Sequence, residues 1–234
     1  MRAAAFRTGV REALGVPGWV LAATYLGFGA LAYSNGVPVW IVILSTITIW
    51  ALPGQLVMVD MWQIGAPMIA ILLAVMLTNA RFVPMTVTLM PVIRHRSHPA
   101  WVYYVAAQCV AMSSWIICMR RGPEIPAAER VGFLGGLAFG FISVGVCASI
   151  VGYYIAESIP PVIQIGMVFL APVYFVVFLI VEIRSRLTAI ALVLGGVAGP
   201  LLYLVTPQWS VLLAGFIGGT LAFAIHKYLV RARA

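Results

Sequence analysis

The chain has 234 residues, of which 63% are apolar and only 9% charged, and its mean hydropathy is +1.07. Soluble domains carry roughly 25% charged residues, so this composition cannot cover a water-facing surface, and a soluble domain is excluded. The formal charge of +8 does not indicate nucleic acid either. The basic residues punctuate the apolar segments rather than gathering on one face, and the partner such a chain requires is the lipid bilayer.

Residues 1–18 hold Arg2, Arg7 and Arg11 ahead of the first apolar stretch and offer no small-x-small cleavage site, so an uncleaved first span is expected. That stretch covers 17–34 and ends in the turn signal Asn35-Gly36-Val37-Pro38. The second covers 39–62 and is interrupted by Pro53-Gly54. Proline removes a backbone donor and clashes with the preceding turn, so this helix is expected to be kinked or split.

The third stretch, 68–93, contains the polar run Thr78-Asn79-Ala80-Arg81, and a basic loop, 94–98, leads to the fourth, 101–119. Residues 120–130 form the most polar segment and divide the sequence near its middle. The stretches 131–155, 162–181, 188–205 and 209–226 follow, separated by Pro160-Pro161, the Glu182 to Arg186 cluster and Thr206-Pro207. Cys109, Cys118 and Cys147 lie inside apolar segments without CxxC spacing and read as small packing residues.

A spanning helix takes about 20 residues. The expected fold is therefore all-α: a polytopic transmembrane bundle of about eight helices, or seven if one segment is re-entrant, with at least one helix broken. It forms a single transmembrane domain over 1–234, with halves at 17–119 and 131–229. With a cytoplasmic N-terminus, eight spans put the basic N-terminal, 120–130 and 184–186 segments and the basic tail inside the cell. Only Arg94 and Arg96 then fall on the wrong side, and a re-entrant second segment would invert every later loop. Each half has a proline in its second stretch, Pro53 and Pro172. These are either matching broken helices of an internal repeat or two unrelated prolines.

Arg81 is the most informative residue, lying near the middle of a long apolar stretch. A charge at the centre of a bilayer costs a few kcal/mol at least and should face the protein interior or water. The alternative is a loop at Arg81 that splits the stretch into two pieces too short to span. Thr78 shares the face of Arg81 on a regular helix. For Asn79 and Arg81 to address one ligand the helix must unwind locally, which Pro84 favours.

A fixed guanidinium beside free backbone groups suits a carboxylate. Gln55, just past Pro53 and Gly54, is either glue between helices or a ligand group. Asp60, the sole aspartate, either neutralises Arg81 or is an end-of-helix charge. Glu157 and Glu182 sit at span ends and, with Asp60, are candidates for proton coupling. His95 and His98 lack the further ligands that a metal site needs, so a solvated loop is expected there. No HExxH, GxSxG or Walker-type motif occurs, so neither an enzyme nor a cofactor is expected. The glycines of Gly132-x-x-Gly135-Gly136-x-x-x-Gly140, Gly195-Gly196-x-x-Gly199 and Gly215-x-x-Gly218-Gly219 allow close helix contact, within the chain or between subunits.

At Ala51-Leu52-Pro53-Gly54-Gln55 and Asn79-Ala80-Arg81, with Pro91 further on, the chain resembles the AzlC family, the large subunits of bacterial branched-chain amino acid exporters. Gly27-Phe28-Gly29, Gly36, Gln55, Asn79 and Arg81 match that family in order and spacing. Ile159-Pro160 and residues 166–175 resemble its second half. One departure stands out: many relatives have an Asp-Glu pair in the fourth helix, and the best-matching positions here are Ala107 and Gln108. If that pair couples export to protons, this chain couples through another residue or carries something different.

The resemblance implies a secondary exporter of neutral amino acids in the bacterial inner membrane, working with a small hydrophobic AzlD-like subunit. Arg81 and Asn79 would take the substrate carboxylate, Gln55 and the unwound backbone at Pro53 and Gly54 its amino end, with Thr78 and Gln108 also lining the site. The rival readings are a passive channel for a small polar solute or anion, with Arg81 as its filter, and a noncatalytic membrane scaffold.

Overall fold

The computed structural model of the protein describes residues 2–181, 186–205 and 210–231. Glu182 and the Thr206-Pro207 turn lie outside them. Among the described residues the chain is helical throughout, without strands. In order the helices are α1 Arg2–Ala13, α2 Val16–Ser34, α3 Val39–Thr48, α4 Leu52–Gln63, α5 Met68–Asn79, α6 Phe82–Ile93, α7 Ala100–Gln108, α8 Met112–Arg121, α9 Arg130–Tyr154, α10 Pro161–Val181, α11 Arg186–Val205 and α12 Ser210–Arg231. The contacts divide the chain into two compact units, residues 1–174 and 175–234. The boundary falls inside α10 rather than in the polar 120–130 segment.

In the first unit, α1 and α2 follow one another along α9, running in its direction. Small residues make this possible. A Cβ on Gly136 would strike the Phe6 carbonyl, one on Gly29 the Ser149 carbonyl, and one on Gly152 the Leu26 carbonyl, so these helices pack backbone to backbone. The contact is intramolecular. Helix α1 lies ahead of the first apolar stretch, where the sequence shows only Arg2, Arg7 and Arg11. Its buried stripe, Ala5, Gly9 and Ala13, repeats at four-residue spacing.

The second, third and fourth apolar stretches are each two short helices. Helices α3 and α4 are separated at residues 49–51. Pro53 stands in the first turn of α4, where its missing N–H is no loss. Gln55 Nε2 donates to Ser45 Oγ at 3.1 Å and Thr46 Oγ1 at 3.0 Å. On a straight helix such residues lie about 14 Å apart along the axis, so the chain must bend sharply at 49–51, which brings Gln55 back to the last turn of α3. Helices α5 and α6 meet at 49° across Ala80 and Arg81 and continue in one general direction.

Helices α7 and α8 reverse at Cys109–Ala111. Straightened, they would reach about 30 Å. Instead both outer ends return to the end of α6: a Cβ on Gly122 would lie 3.3 Å from Val92, Arg130 Nη1 donates to the Val92 carbonyl at 2.8 Å, and His98 Nε2 lies 3.0 Å from the Ala128 carbonyl. The 94–98 loop and the 120–130 segment therefore share one end of the unit. At the other end, Tyr33 of α2 donates to Glu157, just past α9 (2.6 Å).

Among the described residues, α2 and the helix ending at Tyr154 are each long and apolar enough to cross a membrane, and the bent α5–α6 pair makes up to three. Among the described residues the second, third and fourth apolar stretches are each interrupted. The break in the second stretch was expected, whereas the one in the fourth was not. Helix α10 continues through Pro172, so the broken helix of the first half has no counterpart at the matching proline. In the second unit α11 and α12 approach where Gly218 meets Gly195.

Candidate substrate site at the helix breaks

The tips of the two reversing pairs meet beside the middle of α9. Trp50, in the α3–α4 break, has its ring 6.4 Å from that of Phe141 and shares a buried cluster with Val110 and Ala111 of the α7–α8 break. Gln108 Nε2 donates to the Thr48 carbonyl at 2.7 Å, joining one tip to the other. Ser114 closes the second tip: its Oγ accepts from Ala111 N at 2.9 Å and donates to the Cys109 carbonyl at 2.8 Å. The pair Ser113-Ser114 in an apolar stretch was the available signal for this break.

The third break adjoins the first. A Cβ on Gly54 would come within 2.8 Å of Asn79 Oδ1 and 3.0 Å of Nδ2, so only glycine leaves room for this amide against α4. Asn79 Oδ1 and Arg81 Nε are both buried and find no hydrogen-bond partner among the described residues. Arg81 is half-buried, and its Cζ stands 5.4 Å from the Phe82 ring centroid. That contact shelters the cation without hydrogen-bonding it. The first turns of α4 and α6 lack side-chain caps, so their positive ends are directed to this region without a side-chain acceptor.

Gln55 has a different role. It is fully buried, its two N–H groups are given to Ser45 and Thr46, and its Oε1 accepts from Tyr25 at 3.0 Å. The amide clasps α2, α3 and α4, which is the glue reading. Tyr25, Ser45 and Thr46 were not singled out in the sequence; a hydroxyl-rich run facing a buried Gln was the signal. Thr78 gives its hydroxyl proton to the Ala74 carbonyl at 2.8 Å.

Asp60 is exposed and forms no ion pair with any described residue, so Arg81 is not neutralised by it. Glu157 is exposed and holds Tyr33, Glu182 is outside the described residues, and Gln108 is a tip-to-tip contact. His95 Nδ1 pairs with Ser97 Oγ at 2.8 Å, while His98 reaches Ala128.

A chain of apolar helices, with large apolar side chains on its outer faces and buried Ser45, Thr46, Gln55 and Ser114 beside interruptions between short helices, is a helical membrane protein. The family model described as AzlC protein matches residues 18–159, more than half of the chain, and the chain belongs to that family. It is a family of transporter type, linked to branched-chain amino acid transport and to work with a partner subunit. No curated protein and no solved structure matches the chain.

Proposed function

We propose that this protein exports branched-chain or other neutral amino acids across the bacterial inner membrane, as the large subunit of a two-component exporter with a small AzlD-like partner. The observation that carries the reading is the pair of unpartnered buried atoms, Arg81 Nε and Asn79 Oδ1, beside the glycine that admits Asn79. A guanidinium takes a carboxylate through parallel hydrogen bonds, and the uncapped start of α4 adds a positive end to the same pole. The Pro53-Gly54 backbone therefore belongs with the carboxylate rather than with the amino group. Asn79 Oδ1 is an acceptor suited to the ammonium, and Gln55 acts by holding the break open.

The same reading includes a membrane placement with three crossings in the first unit: α2, α5–α6 and α9. The α3–α4 pair enters and leaves on the outside, and the α7–α8 pair on the cytoplasmic side. Two re-entrant pairs of opposite sense leave every later loop where eight spans had it. Arg94 and Arg96 join Arg11, Arg120 and Arg121 in the cytoplasm, removing the one violation of the positive-inside pattern. Exposed aromatic residues fit this placement, with Trp19 and Trp101 toward one end and Trp40 and Tyr154 toward the other.

Export is tested with leucine-loaded proteoliposomes containing the protein and its small subunit. A buried charged hydrogen bond is worth about 1.5–3 kcal/mol, so Arg81→Ala should cut efflux by about 10- to 150-fold at unchanged protein level. Undiminished efflux removes Arg81 from the mechanism.

A further inference from the structure

Two structural costs fall on one residue at the meeting point of the tips. Trp50 is the one non-glycine residue with positive φ among the described residues, at 50°. The left-handed region costs an L-residue roughly 1–2 kcal/mol, and the other positive-φ positions, Gly36 and Gly65, use glycine. Trp50 is also buried, at 4% exposure, yet its Nε1 has no hydrogen-bond partner among the described residues. Leaving a buried donor unmet costs about 1–3 kcal/mol. Packing alone does not explain the unmet donor, because phenylalanine would meet Phe141 and Val110 with no donor to satisfy.

We infer that the Trp50 indole N–H is a substrate-binding donor that gives its hydrogen bond to a carboxylate oxygen of the transported amino acid. The inference rests on the exporter reading above and adds a specificity-determining residue to it. Strain and unmet polar groups that coincide at one position are the mark of a ligand site rather than of a packing site. Indole N–H is a donor only, so its ligand atom must be an acceptor, which the carboxylate supplies and the ammonium does not. The residue lies in the break that opens α4, three residues before the Pro53-Gly54 turn against which Asn79 packs, and its ring lies beside the middle of α9.

The test is leucine efflux and leucine-dependent thermal stabilisation of the reconstituted complex, for wild type, Trp50→Phe and Trp50→His. Phenylalanine keeps the apolar ring and loses the N–H; histidine is a poorer fit but keeps a ring N–H. A hydrogen-bonding role predicts that Trp50→Phe raises the KM for leucine about tenfold with Vmax within twofold, and that Trp50→His is the less impaired of the two. A packing role predicts the reverse order, with Trp50→Phe transporting like wild type and melting no lower, and that result overturns the assignment while leaving the exporter reading intact. Wild-type complex that moves no amino acid overturns the exporter reading and the Trp50 assignment together.

Discussion

Residues 39–121 and the helices from α9 onward are built from similar apolar sequence, yet the first region is broken three times and the second runs in long unbroken helices. Proline does not account for the difference. Helix α10 passes through Pro172 and α11 through Pro200, and Pro91 lies inside α6. What separates the regions is the supply of side chains able to serve freed backbone groups. In the first, Gln108 takes the Thr48 carbonyl and Ser114 takes both Ala111 N and the Cys109 carbonyl. Around Pro172 the sequence Leu170-Ala171-Pro172-Val173 offers nothing polar. Away from a water-filled cavity a helix in a bilayer can stop only where protein groups complete its hydrogen bonds, so the placement of polar residues, more than proline, accounts for the breaks after Thr48 and Gln108.

The sharpest way to break this comparison is to ask on which side of the membrane the loops lie. Single cysteines at Gly65 and Ser97, in a background without Cys109, Cys118 and Cys147, exchange sides between the two threadings. With two re-entrant pairs Gly65→Cys reacts with an impermeant thiol reagent from outside and Ser97→Cys from the cytoplasm; with eight continuous spans both assignments invert. The outcome is all or none. Labelling of Ser97→Cys from outside would mean that α7 and α8 cross rather than return.

Glycine gives the next largest effect. A methyl group at Gly54 must displace the Asn79 amide, whereas a Cβ at Gly166 in α10 meets nothing within 4 Å. Overpacking costs about 1–3 kcal/mol, so Gly54→Ala should reduce leucine efflux about tenfold, with Gly166→Ala close to wild type. Equal activities would detach Asn79 from the site.

How much of this was legible in the sequence depends on what each residue contacts. Composition gave the membrane class, and Pro53-Gly54 and Asn79-Ala80-Arg81 marked two of the three breaks, because their signals are local. The return of α7 and α8 was hidden, since it depends on Arg130 and His98 reaching carbonyls 38 and 30 residues away. Hydrophobic length alone does not distinguish a stretch that crosses from one that turns back. The role of Gln55 stayed open for the same reason, because Tyr25 is 30 positions distant. Trp50 carried no signal at all, as its backbone angle and orphaned N–H exist only in the fold.

The smallest expected effects separate a hydrogen bond that closes a break from an ion pair that only ties loop ends together. Ser114 is fully buried, and Ser114→Ala strands Ala111 N and the Cys109 carbonyl. The melting temperature of the purified complex should fall by an amount corresponding to about 1–3 kcal/mol. Glu12 pairs with Arg121 at 2.5 Å, but both side chains remain partly exposed and Arg121 also holds Glu124. Exposed pairs contribute about 0–1 kcal/mol, so Glu12→Gln should lower stability less than Ser114→Ala, and the loss should shrink further in high salt. If Glu12→Gln were the more damaging variant, the α8 end would be held from the loop side, and the Ser114 turn would be a consequence of the break rather than its support.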